Sequence, residues 1–195
     1  MEKRYLFEYV NFVQGINQSR AKKQFGDQEV NYYSQDSFDA DYKHYEESYQ
    51  EMKTNTLFDI NVSVDKRDVV ISNSLQKAAM VGRINVGKIL SQNFTKVEFK
   101  SDELDKRYFL YLFNENKEVQ RQKERGLQGT GQLQKLTRQS LEQIVIPFVS
   151  LSEQQRIGEI YIEKLKLQSS LCVYSNLLEQ FTSSILEKSL EGIIK

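Results

Sequence analysis

The stretch from Leu141 to Ile157 reads LEQIVIPFVSLSEQQRI, and it separates two parts of the chain that have different patterns. Its first half is an apolar, β-branched run that favours a strand and ends at Pro147, the one proline in the chain. Its second half predicts the start of a helix, because Ser152 and Gln155 have the spacing of a capping box. A strand followed closely by a helix is therefore expected here.

Beyond this stretch the sequence has one long helical pattern. Apolar residues recur at alternating steps of three and four, which is the spacing of a coiled-coil seam. The positions on this seam are Ile157, Ile160, Lys164, Leu167, Leu171, Tyr174, Leu178, Phe181, Ile185 and Lys188. A helix from Glu153 to Glu191 would be about 58 Å long, so its far part should project from a small domain. An apolar seam that projects needs a partner helix, from another protein or from a second copy of the chain.

The part that precedes Pro147 has short apolar runs separated by polar loops, without a regular βαβ repeat. A helix is predicted over Leu104–Asn114, and the tyrosine-rich segment Asp36–Lys53 is an excursion from the sheet for which a helix is one option. Strands are predicted at Tyr9–Val13, Val30–Tyr33, Asp68–Ser72, Ala79–Ile84, Thr95–Phe99 and Ile144–Ile146. The fold class is α/β, close to α+β: an irregular domain with a mixed sheet over residues 1–149, then one long coiled-coil helix over residues 150–195.

Composition excludes several classes of protein. With 39% hydrophobic and 28% charged residues, the chain has the composition of a folded globular protein. Lysine plus arginine equals aspartate plus glutamate, at 27 each, so net charge neither indicates nor excludes a nucleic-acid partner. One cysteine, Cys172, and one histidine, His44, cannot build a zinc cluster, and no metal site is expected. Without an apolar run long enough for a membrane or a signal peptide, a cytoplasmic location is the default expectation.

The block from Pro147 to Ile157 resembles the specificity subunits of type I restriction–modification systems, where a strand reading I-P-x-P precedes L-x-E-Q-x-x-I at the start of a long helix. Three weaker matches agree in order and spacing: Phe12–Gly15, the strand Arg67–Ser72, and the loop Gly129–Gln132 with Leu136 and Leu141 behind it. Arg67 and Val149 depart from the family pattern, where glycine and a second proline are usual. Neither of these positions would carry chemistry.

The resemblance implies a DNA-recognition subunit without an enzymatic activity or a cofactor of its own. Family members usually hold two target-recognition domains and two long helices, and this chain has length for one of each. A half-subunit would pair with a second copy, helix antiparallel to helix, and recognise a bipartite sequence in double-stranded DNA. Expected partners are a DNA adenine methyltransferase subunit and a restriction and translocase subunit, with no membrane. The residues expected to form the dimer are Leu167, Leu171, Tyr174, Leu178, Phe181 and Ile185.

A catalytic role finds no support in the motifs. An adenine methyltransferase needs a proline pair beside an aromatic residue to hold the flipped base, and the chain has a single proline. No P-loop occurs, and His44 lies in an acidic segment without a nucleophile signature nearby. The alternative to DNA recognition is therefore an assembly or decoy protein that associates through its C-terminal helix and does not bind DNA.

Three polar segments are the candidate DNA contacts, because cations bind phosphates and amide or guanidinium groups read base edges. In the first, Gln18, Ser19, Arg20, Lys22 and Lys23 form either a DNA-binding loop or an ordinary solvated one. In the second, Asn73, Gln76 and Lys77 follow a strand and could equally form a plain β-turn.

The third candidate is the basic segment Lys117–Arg138, from which Arg125, Gln128 and Thr130 are favoured as DNA contacts. Its other interpretation is a solvated helix end and a loop that packs on the sheet. The resemblance favours contact for all three segments. A second apolar stripe on the long helix, Leu165, Leu177, Leu186 and Leu190, is a candidate docking face for the methyltransferase subunit.

Overall fold

The computed structural model describes residues 2–17, 31–43, 61–128 and 134–193, with side chains up to 190. Two single 3-10 turns, at Leu6–Glu8 and Arg83–Asn85, accompany eight strands and five helices in this part of the chain. The strands are β1 Glu2–Tyr5, β2 Val10–Gln14, β3 Tyr32–Tyr33, β4 Val69–Ser72, β5 Lys77–Met80, β6 Ile89–Leu90, β7 Phe94–Phe99 and β8 Val145–Phe148. The helices are α1 Gln35–Tyr42, α2 Lys106–Glu115, α3 Lys117–Arg125, α4 Arg138–Glu142 and α5 Leu151–Ile193.

The central element is a four-stranded antiparallel sheet in the order β2-β7-β4-β5. Both of its faces are covered, which explains why β4 is apolar at consecutive positions rather than at alternate ones. Val69 and Ile71 point into the larger core, against α2, while Val70 points into a smaller core with Tyr33 and Phe38. The sheet is therefore a middle layer, and its loops are free only at its two ends.

Two smaller pairings flank this sheet: β1 with β8, antiparallel, and β3 with β6, parallel. The predicted mixture of strand directions and helices is confirmed. The sequence did not predict β1, because all four of its residues are exposed and show no apolar period. The strand predicted over Ala79–Ile84 was displaced, since β5 ends at Met80 where its partner β4 begins at Val69.

A buried carboxylate holds α1 against the loop that follows β5. Asp41 accepts hydrogen bonds from the Tyr33 hydroxyl at 2.6 Å, from the Gly82 amide at 2.9 Å and from Asn85 Nδ2 at 2.8 Å. Burial raises the pKa of Asp41, and the three donors oppose that shift. The prediction of a helix within Asp36–Lys53 holds as far as Tyr42, and residues 44–53 lie outside the described part of the chain.

The long helix α5 starts earlier than its sequence signature predicted. The Ser150 hydroxyl accepts from the Glu153 amide, so the capping serine is Ser150 rather than Ser152. Gln154 is then completely buried in the first turn of the helix. Its Oε1 accepts from the Asp105 amide at 2.9 Å, and its Nε2 donates to the carbonyls of Glu103 and Val149, both at 3.0 Å. One side chain thus joins α5 to the start of α2 and to the end of β8.

The face of α5 that packs on the domain also differs from the predicted seam. Gly158, Tyr161 and Leu165 follow Gln154 at helical spacing, and all are buried against the domain. A Cβ atom on Gly158 would lie 2.8 Å from the Tyr108 amide nitrogen, so glycine permits close contact of α5 with α2. The seam residue Ile160 is 62% exposed instead. Of the seam, the half-buried Ile157 packs against the domain core, and the main domain-packing face is formed by Gln154, Gly158, Tyr161 and Leu165.

After Leu165 the helix leaves the domain, and its side chains as far as Leu190 are exposed except for the half-buried Ser169. This part is about 40 Å long. It carries six exposed apolar residues at the predicted spacing: Leu167, Leu171, Tyr174, Leu178, Phe181 and Ile185. Within the described residues, no helix is long and apolar enough to cross a membrane.

Replacing Asp41 with alanine should lower the free energy of unfolding by about 3 kcal/mol, because three buried donors lose their acceptor. Asp36→Ala, on an exposed position of the same helix, is the control and should cost less than about 1 kcal/mol. Urea denaturation of the two variants measures the difference. Equal costs would show that the buried network does not hold α1.

Candidate nucleic-acid interface

The described parts of two predicted DNA-contacting segments, and the end of β2 from which the first segment follows, lie at one end of the central sheet. Strands β2 and β4 end there, at Gln14 and Ser72, and β7 begins there at Phe94. The register confirms it, since Gln14 pairs with Thr95 and Ser72 pairs with Phe94. We call this end the loop edge; its described residues are 15–17, 73–76, 91–93, 128 and 134–136.

The first segment leaves β2 through a backbone contact that only glycine permits. Gly15 donates its amide to the Phe94 carbonyl at 2.9 Å, and Ile16 donates to Leu90. A Cβ atom on Gly15 would lie 2.2 Å from the Ser91 carbonyl oxygen. The predicted contacts Gln18, Ser19, Arg20, Lys22 and Lys23 follow this point by a few residues and lie outside the described part of the chain.

The second segment is the turn between β4 and β5, and its residues have different roles. Asn73 is buried: its Oδ1 accepts from the Thr95 hydroxyl at 3.0 Å, and its backbone amide donates to the backbone carbonyl of Asn93. Lys77 donates its Nζ to the Asn114 carbonyl at 2.9 Å. In this arrangement both side chains hold the turn together, and neither points freely outward as the sequence prediction supposed.

The tip of the same turn is more accessible. Ser74 and Leu75 are exposed and Gln76 is half-buried. Gln76 has a φ of 55°, in the left-handed region, and its amide donates to the Ser72 carbonyl at 2.8 Å. Of the three residues predicted to read DNA in this segment, Gln76 is the one whose side chain remains partly open to solvent.

The third segment reaches the loop edge at the end of α3. Arg125 and Gln128 are exposed, and Gln128 forms a two-way backbone bridge with Lys135, at 3.1 and 2.9 Å. Lys135 donates its Nζ to Asn93 Oδ1, and the Leu136 amide donates to the Asn73 carbonyl. These bonds fix both ends of residues 129–133, which lie outside the described residues together with the predicted contact Thr130.

Not all cations of the basic segment are available to a phosphate. Lys123 is 1% exposed, and its Nζ donates to two carbonyl oxygens inside the domain. Arg138 forms an ion pair with Glu142 at 2.8 Å. The segment is therefore less basic at the surface than its composition indicates. Arg125 and Lys135 are its exposed cations close to the loop edge.

The sequence analysis missed Gln92 and Asn93, both exposed in the turn before β7. Their signal was the polar triplet Ser91–Asn93 between two apolar runs, the same kind of signal that selected Asn73. The loop edge offers amides, hydroxyls and cations, the groups that bind phosphates and base edges. No cluster of His, Cys, Asp or Glu that could hold a metal ion occurs in the described ranges.

The fold of this chain is similar to that of solved proteins from type I restriction–modification systems. A structure titled for complex assembly and conformational transition of the type I R-M system has a TM-score of 0.60 at 14% identity, covering 96% of this chain. The HsdS subunit from Thermoanaerobacter tengcongensis has a TM-score of 0.53 at 14% identity and covers 96% of this chain. The S subunit from M. genitalium has a TM-score of 0.50 at 16% identity and covers 93% of this chain. This chain spans 44%, 44% and 41% of those chains, respectively.

Residues 19–166 match the family described as the type I restriction modification DNA specificity domain. This range holds most of the domain and the docked start of α5. The chain therefore belongs to that family, as the block from Pro147 to Ile157 had indicated. No curated protein is similar enough in sequence to count as a match.

Replacing Arg125 and Lys135 together with alanine should weaken binding to any duplex DNA and reduce the salt dependence, because each lost phosphate contact removes about 0.9 from the slope of log K against log salt. Lys100→Ala is the matched control, since this exposed lysine follows the opposite end of β7. Fluorescence anisotropy over a salt series measures both quantities. Equal slopes for the double variant and the wild type would remove this side of the loop edge from the interface.

Proposed function

We propose that the chain is a sequence-specific DNA-recognition subunit of a type I restriction–modification complex, and that it acts as a homodimer of half-subunits. Membership of the specificity-domain family carries this proposal. The loop edge supports it, because the turn of residues 73–76, the described ends of the basic segment and the end of β2, from which the first predicted segment follows, lie at one end of the central sheet. Residues 1–149 act as the recognition domain and residues 150–195 as the spacer and dimerisation helix.

DNA is bound by the loop edge, with its neighbouring cations on phosphates and its polar tips on base edges. The proposed contacts that the structure describes are Gln76, Arg125 and Gln128, together with Lys135 as a phosphate contact. Gln18, Ser19, Arg20, Lys22, Lys23 and Thr130 remain predictions from the sequence. Asn73 and Lys77 support the turn from inside, so their replacement should act on DNA binding through the shape of the turn.

The second copy binds along the exposed seam of α5. Phe181 is 63% exposed and Leu178 is 54% exposed, with four more apolar residues in register along the projecting helix. The polar side chains Asn176, Glu179, Gln180, Ser183, Ser184 and Glu187 lie on the other side of the helix. In this dimer the two-fold axis is perpendicular to the helices, so the helices run antiparallel and the two loop edges are carried apart.

Chemistry is supplied by partners in this proposal: an adenine methyltransferase subunit, and in a restricting complex a translocase and nuclease subunit. Of the second stripe on α5, Leu177, Leu186 and Leu190 are exposed and remain candidates for docking the methyltransferase. Leu165 is not available, because it is 8% exposed and packs in the domain core.

Exchanging Leu178 and Phe181 for aspartate should convert the dimer to a monomer, because the paired apolar seam would have to bury four carboxylates. Asn176→Asp with Ser183→Asp places the same charges on the opposite side of the helix and should leave the dimer intact. Light scattering after size-exclusion chromatography gives the masses. A monomeric wild type at high concentration would reject the proposed dimer.

Co-expression with a methyltransferase subunit tests recognition itself. Because a homodimer presents identical loop edges about a dyad, methylated adenines should map to two identical inverted half-sites separated by a fixed spacer. The control is the methyltransferase subunit without this chain. A non-palindromic pattern would exclude the homodimer, and an unchanged pattern without this chain would favour an assembly or decoy protein that does not direct methylation.

A further inference from the structure

A lysine that the proposed interface does not use lies beneath the turn between β4 and β5. Lys123, on α3, is 1% exposed. Its Nζ donates to the Gln76 carbonyl at 2.8 Å and to the Phe113 carbonyl at 2.6 Å, and it lies 4.3 Å from the centroid of the Phe113 ring. The lysine thereby joins three elements: α3, the last turn of α2, and the turn at the loop edge.

The position of this ammonium group is costly unless it is compensated, because burial removes its hydration. Two carbonyl oxygens and the face of an aromatic ring are the compensation that the fold provides. One of these carbonyls belongs to Gln76, the residue in the left-handed conformation at the accessible tip. The bond from Lys123 therefore fixes the part of the turn where backbone geometry is least usual.

We propose that Lys123 is a positioning residue of the loop edge: its buried ammonium clamps the turn of residues 73–76 to α2 and α3, so that Ser74, Leu75 and Gln76 meet DNA in one arrangement. The DNA part of this proposal rests on the proposed function, whereas the clamp itself does not. Lys123 acts from inside the domain and does not touch DNA.

The charges around Lys123 predict a distinctive pH dependence. Burial, together with the charge of Lys77 on β5, lowers the pKa of Lys123 to about 7, and Glu124 on the same helix opposes the shift. A charged donor makes stronger hydrogen bonds than a neutral one, so the hold on Gln76 should weaken as pH rises from 6 to 9.

Global stability should move in the opposite direction over the same range. Because the folded pKa lies below the unfolded value of about 10.4, the unfolded chain binds more protons between pH 7 and 9. The free energy of unfolding should therefore rise with pH while the turn loosens. A residue that only stabilises the core would not separate these two quantities.

The test uses the full-length chain, with Lys123→Met to remove the donor and Val119→Ala as the control. Val119 is buried one turn earlier on the same helix and is part of the apolar core. Hydrogen exchange should show about a tenfold loss of protection at the Gln76 amide in the Met variant only. In the wild type, the NMR shift of the Gln76 carbonyl carbon should titrate between pH 6 and 9, and this titration should vanish in the Met variant.

DNA affinity distinguishes the clamp itself from its effect on DNA binding. The probes are duplexes that contain the mapped methylation site. Lys123→Met should reduce affinity about tenfold and Val119→Ala less than about twofold. Unchanged Gln76 protection, or a Gln76 carbonyl that does not titrate in the wild type, would overturn the clamp. If the Gln76 measurements confirm the clamp but the wild type does not bind DNA, the proposed function is rejected and the clamp is not. Normal DNA binding by a variant with a loosened turn would reject the positioning role.

Discussion

The side-chain amide of Gln154 fixes the geometry on which the rest of the molecule depends. It is buried where three segments meet: the start of α2, the segment that leaves β8, and the first turn of α5. A primary amide can accept and donate at once, and here it satisfies one backbone amide and two carbonyls that would otherwise be buried without partners. The direction of the long helix is set at this point, within its first turn.

Close packing extends this constraint along the helix. Gly158 lets α5 approach the backbone of α2, and Tyr161 then accepts a hydrogen bond from Asn114, whose amide also bonds both backbone groups of Ala78 on β5. The helix is thus attached both to α2 and to the edge of the central sheet. Beyond Leu165 it has no further support within the described residues, so its direction there follows from the docked part.

The two faces of α5 explain which parts of the fold could be predicted. The seam from Leu167 to Ile185 is regular because one straight helix face has to match another, and its spacing was evident in the sequence. The docking face was obscured because it depends on Gln154 and Gly158, a polar and a small residue, which apolar periodicity does not detect. Ile160, which the same pattern placed on the seam, is exposed and does not contribute to the docking face.

At the candidate site, too, some features could be predicted from the sequence and others could not. Three segments were predicted from their polar and basic composition. The strand registers bring the turn of residues 73–76 and the end of β2, which precedes the first segment, to one end of the sheet. Composition could not tell which side chains face inward. Asn73 looks like a base-reading residue but accepts from Thr95, and Lys123 looks like a phosphate ligand but holds two carbonyls. Such roles depend on contacts between residues that are from ten to forty-seven positions apart.

In the proposed dimer, the firmly docked helix pairs antiparallel with a second copy and so carries two recognition edges apart. Pulsed electron paramagnetic resonance tests this pairing directly, with a spin label at Lys188→Cys in a Cys172→Ser background. Pairing about the middle of the seam, near Asn176, places the two labels about 35 Å apart along the helix axis. A parallel pair would instead hold them roughly 10–20 Å apart, and that shorter distance would contradict the account.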